Sequence, residues 1–143
     1  MKMMTEKFKI LGQFIKDMSS ETKDTETYIF VKDNILKYHL DININSKPLK
    51  NKMVEINTTL KFEDKENAKH RSHFEMTYAT IIKVGEGVKE KKELEKIILC
   101  DVQINIYPEL EKSFLNMLHI SGYTNVKFEK KIDFEKLYLD QFN

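Results

Sequence analysis

The side chains of this chain best equipped for metal or nucleophilic chemistry are four histidines, His39, His70, His73 and His119, and one cysteine, Cys100. A zinc site usually shows His-x-x-x-His or Cys-x-x-Cys spacing, because ligands one turn apart converge on a tetrahedral ion, and neither spacing occurs. His70 and His73 lie beside a charged turn and read as surface histidines near the start of a strand. Pairing Cys100 with His119 as nucleophile and base would need a glycine-rich oxyanion turn, which is absent. A lone cysteine in the apolar run Ile97-Ile98-Leu99-Cys100 reads as buried and inert. Gly85-Glu86-Gly87 lacks the third glycine and the strand-to-helix setting of a dinucleotide loop and reads as a turn. The residues therefore predict no enzyme, no metal and no cofactor.

Apolar periodicity carries more information. Residues 8 to 16 mix apolar and polar side chains at short period and predict a first strand. Residues 18 to 37 predict a long connection, polar at first and then carrying Tyr28, Ile29, Phe30, Ile35 and Leu36. Tyr38, Leu40, Ile42 and Ile44 share one face of a second strand, and residues 45 to 52, with Pro48, turn the chain. Val54, Ile56, Thr58, Leu60 and Phe62 line one face of a third strand. After the charged turn 63 to 71, Phe74, Met76, Tyr78, Ile82 and Val84 form a fourth. The Lys/Glu run up to Lys96 predicts a solvated loop or short helix.

Pro108 suits the first position of a helix, where its missing N–H is harmless, with Glu109 and Glu111 at the positive end of the macrodipole. Leu110, Phe114, Met117 and Leu118 then form one apolar stripe, with Gly122 as C-cap. A short helix begins at Asp133, a good N-cap, with Ile132 and Leu137 spaced as a hydrophobic staple. Four strands followed by helices predict an α+β fold, a four-stranded antiparallel sheet with one long and one short C-terminal helix on one face.

Composition bounds the function. At 143 residues, 41% hydrophobic and 33% charged, the chain has the make-up of one folded domain over residues 1–143. A formal charge of +1, with lysines scattered among acids, supplies no basic field for a phosphate backbone, so nucleic acid is not an expected partner. Neither a signal-peptide apolar region nor a run of about 18 apolar residues is present, so no stable membrane insertion and a cytoplasmic location are expected. A sheet with one apolar face, an amphipathic helix and an apolar connection offer more hydrophobic surface than so small a monomer readily hides. Association with copies of itself or with apolar ligands follows, unless Tyr28, Ile29 and Phe30 tuck under the sheet as core.

Several segments carry a family resemblance. The run Gln13-Phe14-Ile15-Lys16-Asp17-Met18-Ser19-Ser20-Glu21 resembles a Gln-Tyr-Ile-Lys-Asp-Leu-Ser-x-Glu segment of the SecB protein-export chaperones. Phe30-x-Lys32-Asp33, Leu40-Asp41-Ile42-Asn43, Tyr107-Pro108, Gly122-Tyr123 and Ile132-Asp133-Phe134-x-x-Leu137-Tyr138 continue the likeness in order and spacing. The resemblance implies a non-enzymatic holdase that assembles as a homotetramer, a dimer of dimers, and holds unfolded preproteins in surface grooves. It implies groove positions at Tyr28, Ile29, Phe30, Ile35, Leu36, Leu40, Ile42 and Tyr138. Delivery to the SecA ATPase would use Asp17, Glu21 and Glu75 on the open face of the sheet. The oligomer interface is expected at Phe74, Met76, Tyr78, Phe114, Met117 and Leu118.

The chain departs from the family pattern in its near-neutral charge, in Asn34 where a tryptophan often stands, and in ending at Asn143 without the family's acidic tail. These departures motivate an alternative, a SecB-like chaperone dedicated to one client such as an antitoxin. A small-molecule carrier or a metal-dependent enzyme of α+β fold is the remaining reading.

Overall fold

The computed structural model describes residues 7–66 and 69–142. In chain order these form β1 (Phe8–Glu21), α1 (Thr25–Asn34) with a 3₁₀ turn (Ile35–Lys37), β2 (His39–Pro48), β3 (Met53–Glu63), β4 (His73–Val84), α2 (Lys91–Lys96), α3 (Val102–Ile120) and α4 (Phe134–Phe142). The strands make one antiparallel sheet in the order β1-β4-β3-β2.

Alternation puts the apolar residues of the two central strands on one face. Val54, Ile56, Leu60 and Phe62 of β3 and Phe74, Met76 and Ile82 of β4 are buried there. Against them lies a helical rod running from residue 91 to 120, in which a π-helical turn, Ile97–Asp101, joins α2 to α3. Leu110, Phe114, Met117 and Leu118 supply one end of this layer. Ile97, Ile98, Val102 and Ile106 supply the other, over Val54, Ile56 and Ile82.

The rod begins well before the Pro108 start that the sequence predicts. Pro108 and Ile104 are both solvent-facing, so the carbonyl of residue 104, deprived of its i+4 donor, lies where water can satisfy it, and the helix tolerates the ring. The Lys/Glu run is correspondingly part of the rod, as α2. Two further boundaries move. β1 extends to Glu21, and most of the predicted connection is α1, started by Asp24, whose carboxylate accepts from Thr27 N–H at 2.8 Å. Hydrogen bonding with Thr27, side chain first and then N–H, holds the Asp24 carboxyl below its ordinary pKa. β2 continues through Pro48, and the hairpin turn is made by Asn51 and Lys52, both at positive φ, the backbone a two-residue β-turn of this hand requires.

The C-terminus of α3 closes as a Schellman motif. Tyr123 N–H donates to Leu118 O at 3.0 Å, and Gly122 N–H donates to His119 O at 3.1 Å. Gly122 has φ of 105°, and a Cβ built there would lie 2.7 Å from Cε1 of Tyr28, whose hydroxyl donates to Gly122 O at 2.9 Å. Tyr123 turns inward, its ring edge-on to Phe74 at 5.3 Å and its hydroxyl within 3.0 Å of Ser72 Oγ and 2.9 Å of Thr22 Oγ1. This knot joins the end of β1, α1, the start of β4 and the end of α3. Gly122→Ala combines an unfavourable backbone with a steric clash, and it is expected to cost at least about 1–2 kcal/mol of unfolding free energy in urea titration.

Candidate functional site

The helical layer stops short of both edges of the sheet. On β1, Leu11, Phe14, Ile15 and Met18 are each about half exposed. Irregularities in the β1–β4 ladder fall at Leu11 and Lys16. The bulge keeps Asp17 on the open face along with Lys16, whose Nζ bonds the Glu55 carboxylate and, at 3.2 Å, Asn57 Oδ1. That contact holds the Glu55 carboxyl below its ordinary pKa.

The β2 edge is built differently. Pro48 pairs with Val54 but has no N–H to give, so its position belongs to the non-hydrogen-bonded set of the ladder. By alternation Leu40, Ile42 and Ile44 belong to the same set, and their backbone N–H and C=O groups point outward, away from β3. Their side chains point toward the helices.

Beside this edge the chain leaves three depressions in a row. The first, about 410 Å³, is walled by Leu36, Tyr38, Leu40, Phe62, Phe128 and Ile132. The second, about 520 Å³, shares Leu40 and Ile132 with the first and adds Ile42 and Leu137. The third, about 390 Å³, shares Ile42 and Leu137 with the second and ends at Ile44, Leu99 and Tyr138. Shared walls make them one trough, bounded by β2 and by residues 126–140. Asp133 holds the start of α4 against it by accepting from Lys136 N–H at 3.1 Å, with Leu137 N–H donating to Asp133 O at 3.0 Å. Charge gathers at its rim, where Asp41 meets Lys65 at 3.1 Å.

Of the eight predicted groove positions, Leu36, Leu40, Ile42 and Tyr138 line this trough, and Leu36 is 90% exposed. Ile35 touches the trough but is buried in the core. Tyr28, Ile29 and Phe30 lie on α1 and do not wall any of the three depressions. Tyr28 is bound to Gly122 and Phe30 packs on His70 at 5.3 Å, while Ile29 is exposed. Sequence reasoning missed Tyr38 just before β2, Ile44 on β2, Phe62 on β3, Val126, Phe128 and Ile132 in the loop before α4, Leu137 on α4, and Leu99, which sits in the π turn.

Asp17, Glu21 and Glu75 do share one corner of the open face, since Ser19, midway between the first two, pairs with Glu75. Glu75 is flanked there by His73 at 3.4 Å and Lys61 at 3.9 Å. The interface expectation needs correction. Phe74, Met76, Phe114 and Leu118 are at most 1% exposed and Met117 only 8%, all in the subunit's own core, because the rod lies over these positions of the central strands. Tyr78 is partly buried against the same layer.

Two of the reactive groups, Cys100 and His119, are shielded or occupied. Cys100 is buried, and burial pushes its thiol pKa up, away from the nucleophilic thiolate. A ring nitrogen of His119 is 2.9 Å from Val126 O.

The architecture is that of the α+β proteins in which helices cover one face of a four-stranded antiparallel sheet. The sequence profile described as "SecB: Preprotein translocase subunit SecB" matches residues 2–143. A protein-export SecB relative from Pelagibacter ubique is 60% identical over 140 residues, 98% of this chain and all of the relative. Among solved structures, a SecB-like chaperone of Mycobacterium tuberculosis, in complex with a peptide from the HigA1 antitoxin, superposes with TM-score 0.60 at 10% identity, covering 87% of this chain and 91% of that one. The chain belongs to the SecB family. It is a protein-export chaperone, of a family that is not one of enzymes, and no helix among its described residues is long and apolar enough to cross a membrane.

Two substitutions separate core from trough. Phe114→Ala is expected to lower unfolding free energy by about 3–5 kcal/mol. Leu36→Ala should change it by no more than about 0.5 kcal/mol. Urea titrations of both variants at fixed protein concentration make the comparison.

Proposed function

We propose that the trough along β2 is where this chaperone holds extended stretches of unfolded preproteins. The observation carrying the reading is the coincidence of two features on one line. Three apolar depressions run beside an edge strand whose outward N–H and C=O groups belong to the same residues, Leu40, Ile42 and Ile44, that wall them. A client strand laid there bonds through its main chain, whatever its sequence, and drops alternate side chains into the depressions. Each buried apolar side chain contributes about 1.5–3 kcal/mol, part of it offset by ordering the client. Selectivity is then for unfoldedness, because a folded client has neither its apolar side chains nor its backbone groups free. The HigA1-derived peptide in the Mycobacterium tuberculosis relative supports polypeptide as the ligand class.

In this reading the whole chain acts as one domain in the cytoplasm, as a homotetramer, with Asp17, Glu21 and Glu75 meeting SecA. The exposed apolar residues of β1 support assembly through that edge, in place of the buried residues the sequence pointed to. A second reading, a chaperone dedicated to one client, is favoured by the open-face corner, where Lys61 stands beside Glu75 and dilutes its charge.

Holdase activity is tested by refolding a reduced, unfolded protein at stoichiometric ratio. The native chaperone should slow refolding, and Leu36→Asp together with Ile42→Asp should remove most of that effect with little change in mass in solution. A native protein that is a stable monomer and leaves refolding untouched would defeat the proposal. Pull-down with SecA at low salt separates the two readings: retention that weakens as salt rises and is lost in Asp17→Asn/Glu21→Gln supports delivery to SecA, and no retention supports the dedicated chaperone.

A further inference from the structure

Ile97 and Ile98 are buried on the underside of the rod, and five residues further on so are Val102 and Gln103. A regular α-helix would carry such positions out of phase, and the π turn absorbs the extra residue. Val102 N–H donates to Ile97 O, five residues back, and Val102 and Gln103 return to the sheet. The residue left on the flank is Leu99, which walls the third depression with Ile42, Ile44 and Leu137.

Gln103 and Thr58 are both 0% exposed within this apolar layer. The Gln103 amide donates to Thr58 Oγ1 at 3.0 Å and accepts from it at 3.2 Å, and it donates to Ile98 O, inside the π turn, at 3.4 Å. Thr80 Oγ1, on the same face of the sheet, is buried with no partner among the described residues. Polar groups in such a layer stabilise little over well-packed apolar ones, so stability alone does not account for the pair. Its geometry does: one side chain ties β3 to a carbonyl within the π turn.

We propose that Gln103, anchored on Thr58, is a positioning residue that holds the π turn open and thereby aims Leu99 into the distal end of the trough, where it meets an apolar client side chain. This rests on the trough being the client site. The end of the trough nearer the Leu36 side chain is formed without the π turn and does not depend on Gln103.

Methyl NMR of leucine-labelled protein, with and without a reduced, unfolded α-lactalbumin client, tests it. In the native protein the methyl signals of Leu36, Leu40 and Leu99 should all shift on adding client. In Gln103→Met, and in Thr58→Val/Gln103→Met, which replaces both partners with apolar groups and is expected to keep the urea midpoint close to native, Leu99 should lose its client-induced shift while Leu36 and Leu40 keep theirs. A Leu99 shift in the double variant equal to the native one overturns the proposal. If Gln103→Met does not fold, Thr58→Ser and Thr58→Val give the same comparison. The retained hydroxyl should preserve the Leu99 response and its loss should remove it, and equal responses refute the idea. Native protein in which Leu36 and Leu40 respond but Leu99 does not refutes the positioning role alone. Native protein in which none of the three responds refutes the trough as client site, and the positioning role with it.

Discussion

A helix with its side chains is about 10–12 Å wide and strands lie about 4.8 Å apart, so one helical rod covers about two strands. The rod of residues 91–120 sits on β3 and β4, whose inner apolar residues it buries, and β1 and β2 are left at the margins. The exposure of Ile15 and Met18 on β1 and the depressions beside β2 follow from that mismatch, whereas Phe14 lies on the open face opposite Ala79. A four-stranded sheet under one rod necessarily has two half-covered flanks, and a chain of this length has little else to cover them.

The two margins are handled in different ways. At β1, bulges interrupt the edge and Lys16 is tied across the sheet to Glu55, yet four large apolar side chains still meet solvent. At β2, residues 126–140 are drawn alongside without sealing the edge, which converts a flank into a trough. One arrangement presents exposed side chains on both faces of an edge strand, and the other a channel beside unpaired backbone groups.

The near wall of the trough is braced by hydrogen bonds to the core. Gly122 and Tyr123 knot α3 to the start of β4, to α1 and to the end of β1, and Ser72 N–H bonds the hydroxyl of Tyr38 at 3.0 Å on the trough's near wall. The distal wall depends on α4, held by Asp133, and on the π turn. Surface ion pairs such as Asp41 with Lys65 contribute little to this, since exposed pairs contribute about 0–1 kcal/mol.

Read alone, the residues established the strands at β2, β3 and β4, the Gly122 and Asp133 caps and the α+β class, because period-two alternation and capping are properties of neighbours in sequence. They established the family as well, through short segments in a fixed order. They misplaced the start of the long helix, because Pro108 lies on its solvent side and the π turn breaks the 3.6-residue phase that would have joined α2 to α3. They assigned Phe74, Met76 and Phe114 to an interface because an apolar stripe does not say what buries it. The trough itself was legible only at Leu36, Leu40, Ile42 and Tyr138. Among its other walls, Tyr38, Phe62, Leu99 and Phe128 come from four distant segments, and only the packing of helices on the sheet decides which of their side chains remain uncovered.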